Sequence, residues 1–135
     1  MQIAVRDQLE PLLQDMLYIS ESEYPLELLN LGTYTDDAAL YSTVSQETSI
    51  PFDGAVVKED ADIFFEETIS NLINGGDSVS AGLGKKYEQL YAFVQSTFPE
   101  RWVSRVTIGA EVNICIIGIT ADNECSVIKT LAIET

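Results

Sequence analysis

Apolar positions recur at helical spacing early in the chain: Val5, Leu9, Leu12, Leu13, Met16 and Leu17 make one stripe, with Asp7, Gln8, Gln14 and Asp15 on the opposite side. That is the pattern of a helix with one face turned to a core. Pro11 interrupts it: either the helix bends there, or its regular part begins near Glu10 with the proline in the first turn, where a missing N–H costs little. Ser20-Glu21-Ser22-Glu23-Tyr24-Pro25 is polar and ends in a proline that biases Tyr24 to extended geometry, so it reads as a loop. Leu26 to Gly32 is predicted as a short strand, and the weakly patterned stretch that follows holds a possible strand near Ala39 to Val44.

Asp60 is the expected N-cap of a helix from Ala61 to about Asn71, with Phe64, Phe65, Ile69, Leu72 and Ile73 on its apolar side. Asn74-Gly75-Gly76-Asp77-Ser78 stops it. A Gly/Ser-rich connection runs to Gly84, after which Tyr87, Leu90, Tyr91, Val94 and Phe98 mark an amphipathic helix closed by Pro99. Trp102 to Ile108, Val112 to Ile119 and Ser126 to Ile133 are rich in Val, Ile and Thr, with turns at Gly109-Ala110 and Ala121-Asp122-Asn123, and so predict an antiparallel meander. From Ile114 to Ile119 nearly every position is apolar, which suits a central strand covered on both faces. The expected class is α+β, with helices on both sides of a mainly antiparallel sheet.

Length and composition narrow the function. The 135 residues suit a single domain, 1–135, and an apolar fraction of 46% with 21% charged residues is that of a globular chain. The net charge is −15. It is lopsided, because Met1 to Asp77 holds 16 acids against only Arg6 and Lys58. Such a surface repels nucleic acid and anionic membranes and attracts basic proteins or cations. A solubility role alone would also account for it. The chain has no histidine, which excludes triad hydrolases and histidine-bearing metal sites. Cys115 and Cys125 lack metal-ligand spacing and are expected as buried, reduced thiols. With no signal-like apolar segment and no run of 18 apolar residues, the expectation is a soluble, cytoplasmic protein without a cofactor.

Several short patterns suggest chemistry and then fail its requirements. Gly82-Leu83-Gly84-Lys85-Lys86 is no phosphate loop, because Walker spacing demands Gly at Val79 and Ser or Thr at Lys86; it reads as a helix-entry loop. Asp36-Asp37 and Asp60-x-Asp62 lack the alternating ligands and glycine of a calcium loop and read as helix caps and solvated loops. Glu21 and Glu23 are paired carboxylates of the kind acid–base chemistry uses, although a solvated acidic loop is the simpler account of them. At the other end, Ile133-Glu134-Thr135 follows a strand directly, so the Thr135 oxygens are expected to be held by the sheet, ready to act jointly with a loop carboxylate.

On these residues the sequence resembles the cyanobacterial nuclease A inhibitor family along nearly its whole length. Ser20-Glu21-Ser22-Glu23-Tyr24-Pro25 after an apolar-ended helix is one block, and Val112 through Ile116-Ile117-Gly118 to Glu134-Thr135 is the other. Asp62-Ile63-Phe64-Phe65 and Lys86-Tyr87-Glu88-Gln89-Leu90 are similar to weaker landmarks. The resemblance implies a three-layer α-β-α sandwich that inhibits a sugar-non-specific, magnesium-dependent DNA/RNA nuclease of the ββα-metal type. It implies that Glu21 and Thr135 approach the nuclease's magnesium, with Glu23, Tyr24 and Glu134 at flanking positions, and that the chain holds no metal of its own. A basic nuclease groove and an acidic inhibitor attract each other, and magnesium accepts the hard oxygens of Glu21 and the Thr135 terminus in place of phosphate. One departure is that the known member of the family carries an interface tryptophan in the segment before the third helix, where this chain has Asn74-Gly75-Gly76 and its sole tryptophan is Trp102.

The expected partner is therefore a non-specific endonuclease, with no nucleic acid or membrane bound and a monomer when free. Two rivals stand beside this reading. An acidic interaction module with the same fold binds some other basic protein, and an enzyme uses Glu21 and Glu23 with a metal.

Overall fold

The computed structural model describes residues 5–50 and 56–134. The Val- and Ile-rich segments pair as expected, with β5 (Glu100–Ile108), β6 (Glu111–Ile119) and β7 (Glu124–Ile133) forming an antiparallel meander. The β5–β6 connection is the two residues Gly109-Ala110, since Ile108 faces Glu111. Gly109 takes φ 62°, a left-handed start that matches strand twist and that glycine adopts without steric cost. Two further strands complete the sheet, β3 (Glu27–Thr33) against β7 and β4 (Val56–Asp60) against β5, giving the order β3-β7-β6-β5-β4 with every neighbour antiparallel.

β6 is buried on both faces, and its alternate residues enter different cores. Val112, Ile114 and Ile116 join one cluster with Leu9 and Leu13 of α1 (Val5–Leu13), Phe64, Phe65 and Leu72 of α3 (Ala61–Ile73), and Tyr87, Leu90 and Val94 of α4 (Ser78–Thr97). Cys115, Ile117 and Ile119 join another with Leu40 and Val44 of α2 (Asp37–Thr48). The period-2 geometry of a strand makes this division. The result is an α-β-α sandwich with three helices on one side and one on the other.

Aromatic rings fill the thicker side. Phe65 is fully buried and stacks on Tyr91 at 5.0 Å, and Tyr18 stacks on Phe64 at 6.0 Å. On the thinner side a polar triad is satisfied internally, with Tyr41 and Ser104 sharing a 2.7 Å hydrogen bond and the Trp102 indole N–H donating to Tyr41 at 3.0 Å. Forked arginine pairs tie elements together. Arg101 holds Asp62 at the start of α3, and Arg105 holds Glu59 across the β4–β5 pair.

Four local expectations are corrected. Helical structure ends at Leu13, where Met16 N–H returns to the Leu13 carbonyl and Asp15 turns left-handed, so Leu17 lies in a strand and Pro11 sits within the helix near its end. The proline removes only one helical bond there and does not mark a first turn. The residues from Ala39 to Val44 are helical in α2, because the Asp36 carboxylate accepts the Ala39 N–H at 2.7 Å as a cap and Leu40 and Val44, one turn apart, are the residues that reach the core. α4 begins at Ser78, capped by Asp77, so the Gly82–Gly84 stretch lies inside a helix and is no entry loop. Gly84 packs where an added Cβ would sit 3.0 Å from Ile73, a close α3–α4 approach that offsets glycine's helix penalty. Finally, Ser20 to Pro25 is not a plain loop: it holds β2 (Glu23–Pro25), which pairs with β1 (Leu17–Ile19).

Cys115 and Cys125 are buried and free, as the sequence suggested. Burial pushes the Cys115 thiol from an ordinary 9.0 up to about 12 and that of Cys125 up to about 11. Tyr34 is also raised to about 12, first by donating to the Asp37 carboxylate at 2.6 Å and then by burial. Each of these folded-state values lies above the unfolded one. Their contribution is complete below about pH 9 and declines as pH rises toward 12, because the unfolded chain releases protons that the folded chain keeps. Unfolding free energy measured by urea titration should therefore fall steadily above about pH 9. Both thiols should resist iodoacetamide at pH 8 until urea unfolds the chain; rapid native-state alkylation would contradict the burial.

Candidate functional site

The β1–β2 hairpin carries the acidic motif, and its register, Leu17 with Pro25, Tyr18 with Tyr24 and Ile19 with Glu23, leaves Ser20, Glu21 and Ser22 at the tip. Small hydroxyl side chains at a tight turn bond back to the backbone. Ser20 Oγ donates to the Ser22 carbonyl at 3.3 Å, and Ser20 N–H reaches the same carbonyl at 2.8 Å.

Three further bonds fix where the hairpin points. Tyr87 of α4 donates its hydroxyl to the Leu17 carbonyl at 2.9 Å, and Leu26 N–H donates to the Met16 carbonyl at 3.3 Å, closing the base. Thr130 Oγ1 on β7 donates to the Pro25 carbonyl at 3.0 Å. The hairpin therefore lies along β7 beyond the start of β3.

At the tip the two sequence blocks meet. Ile133 N–H donates to Ser20 Oγ at 2.9 Å, and Glu21 N–H donates to the Ile133 carbonyl at 3.4 Å. The next residue, Glu134, donates its N–H to the Ala110 carbonyl at 2.8 Å, which holds the strand end against the β5–β6 turn. Glu21, Glu23 and Glu134 are exposed and Tyr24 is half-buried. Exposed Glu111 adds a fourth carboxylate nearby, since it faces Ile133 across the β6–β7 pair. Thr135 lies outside the described residues.

Of the residues singled out from the sequence, Glu21, Glu23 and Tyr24 share one hairpin, and the backbone brings Glu21 to within one residue of Glu134. Ser20, Thr130 and Tyr87 were not anticipated. Ser20 had a signal, as a hydroxyl beside a short turn. Tyr87 and Thr130 had none, because their contacts span 70 and 105 positions of sequence.

The chemistry of this place is presentation. Among the described residues no group of three or more Cys, Asp and Glu is arranged to hold a metal ion. Lys58, Arg101, Arg105 and Lys129 are engaged with Asp37, Asp62, Glu59 and Glu27. The hairpin and strand end thus form an outward-facing carboxylate surface on a scaffold locked by backbone bonds.

The α-β-α sandwich thus holds an acidic hairpin against the end of its five-stranded sheet. The model of the nuclease A inhibitor-like protein family matches residues 4–135, nearly the whole chain, and the chain belongs to that family. That membership points to nuclease inhibition in general, to a protein partner and to a non-catalytic role. No curated protein matches the chain.

Proposed function

We propose that the protein inhibits a sugar-non-specific, magnesium-dependent DNA/RNA nuclease of the ββα-metal type by placing carboxylate oxygens where substrate phosphate would sit. Glu21 is the leading group, acting with Thr135 toward the nuclease's magnesium, and Glu23, Tyr24 and Glu134 flank them. The observation that supports this reading is the tie between the Glu21 N–H and the Ile133 carbonyl, which holds the acidic tip beside Ile133 and Glu134. Magnesium takes hard oxygen ligands directly or through water, and a carboxylate offers no scissile ester, so binding ends in occupancy without turnover. The net charge of −15 favours fast, salt-sensitive association with a basic phosphate groove.

The test is inhibition of such a nuclease in magnesium by the full chain, by Glu21→Ala and by a chain lacking Thr135. Each change should raise the inhibition constant by roughly 10- to 100-fold, the range for losing a central charged contact. Wild-type protein that leaves every nuclease of this type from its own genome uninhibited would overturn the proposal. The second reading, an acidic interaction module of the same fold without inhibitory activity, rests on the net charge of −15, which suits any basic protein partner. An uninhibited nuclease panel together with a defined non-nuclease partner would support it.

A further inference from the structure

The open edge of the sheet offers a separate docking place. Among the described residues β3 pairs with β7 alone, so its outer side has no strand opposite to bond its backbone N–H and C=O groups. α1 runs beside that edge, and between the two lies an open groove of about 640 Å³. Leu13, Leu26 and Leu28 line it together with the carboxylate-bearing Asp7 and Glu10 of α1 and Glu27 of β3. The three acids are exposed, while the leucines are buried or half-buried.

Natural sheets usually protect an edge with lysine, proline or a bulge. The seven residues of β3, Glu-Leu-Leu-Asn-Leu-Gly-Thr, contain neither lysine nor proline. Their irregularity falls between Asn30 and Gly32, so the stretch from Glu27 to Asn30 that borders the groove keeps regular pairing. A helix flanking an open edge strand is a setting in which an extended peptide adds as a further strand: its main chain bonds the edge and its alternate side chains enter the groove.

We infer that this groove binds an extended, lysine- or arginine-bearing polypeptide segment of a partner, added to the outer edge of β3. Its main chain supplies the missing ladder bonds. Apolar side chains on one face settle toward Leu13, Leu26 and Leu28, and cationic ones reach Asp7, Glu10 and Glu27. Charge selects the occupant, because an acidic rim repels an anionic segment, and an apolar floor with an unpaired backbone sets it apart from a merely acidic surface. The inference does not depend on the identity of the hairpin's target.

The experiment titrates the isotope-labelled full chain with the capped peptide acetyl-Lys-Val-Lys-Val-Lys-amide, followed by amide NMR. Shift changes should concentrate in residues 7–14 and 26–30, and alternate β3 amides should exchange more slowly with solvent. The same peptide N-methylated on the backbone at all five residues keeps its charge and loses the N–H donors of both its edges; it should bind about tenfold more weakly or worse. The double variant Glu10→Lys, Glu27→Lys, whose amide spectrum verifies its fold, should weaken binding by a similar factor. Shifts scattered over the whole acidic surface, equal binding of the methylated peptide, or no binding at millimolar peptide each overturn the inference. So does dimerisation of the free chain by sedimentation with the same β3 amides protected, since the occupant is then a second copy.

Discussion

Replacing Gly118 by alanine is expected to lower the melting temperature by on the order of 10 °C, a large effect for one methyl group. A Cβ at this position of β6 would stand 2.4, 2.5 and 2.7 Å from three carbons of the Phe98 ring. The ring cannot step aside, because Phe98 is only 2% exposed and packs edge-on against Phe93. Overpacking of a tight core costs roughly 1–3 kcal/mol, and contact with a ring held on all sides belongs at the upper end. The check is thermal unfolding by circular dichroism of Gly118→Ala, Phe98→Leu and the double variant. Phe98→Leu loses ring contacts by itself, yet in the double variant it makes room for the methyl, so the two changes should be less damaging together than their sum. A Gly118→Ala protein melting within about 2 °C of wild type would show that the core yields there more readily than close packing permits.

Tyr87→Ala should come close to unfolding the domain. Removing a buried aromatic ring costs about 3–5 kcal/mol, and total stability for domains is about 5–15 kcal/mol. Tyr87 is 1% exposed in the larger core, and its hydroxyl is also the donor to the Leu17 carbonyl. Tyr87→Phe separates the two roles. It keeps the ring and leaves the carbonyl without its partner, at about 1–2 kcal/mol. Hydrogen exchange should then speed up at Tyr18 and Tyr24 in the hairpin while the central β6 amides slow or quicken only with global stability. Uniform acceleration everywhere would mean that the hydroxyl supports the core and not the hairpin in particular. Under the proposed function, Tyr87→Phe should also weaken inhibition without touching any group at the nuclease surface.

Much of this architecture was legible where one physical signal dominated. Val and Ile density with Gly109 and Asn123 at the turns marked β5, β6 and β7, and the unbroken apolar run from Ile114 foretold a strand with two dry faces. Asp60 announced α3 by its capping chemistry, and its carboxylate does accept the Ile63 N–H at 3.1 Å. The failures came where signals were weak or tertiary. In α2 few side chains reach the core, and the Thr, Val and Tyr content resembled a strand; Asp36 read as a cap or loop residue, and the strand-like composition outweighed the helix that a cap there implies. β4 borders solvent and shows little alternation, with Val57 61% exposed, so only its pairing with β5 reveals it. The hairpin strands are three residues each, too short for periodicity to register. At the candidate site, the residue types and the nearness of the acidic motif to the end of the last strand were expected from the sequence, and the bonds of Ser20 and Glu21 to Ile133 that make that nearness were not, since they depend on how β7 extends past β3.

The doubly buried β6 has a further consequence for how the sheet finds its alignment. In a sheet with one wet face, sliding a strand by one position turns oily side chains outward, and solvent penalises the error. From Ile114 to Ile119 the same slip exchanges one apolar residue for another on both sides, so hydrophobicity discriminates weakly between the right and wrong alignments. Size has to discriminate instead: only a residue without a side chain fits beneath the Phe98 ring, and a displacement of two positions would drive Ile116 or Thr120 into that space. The close seat of the Phe98 ring on Gly118 is the keyhole that admits one alignment of the central strand.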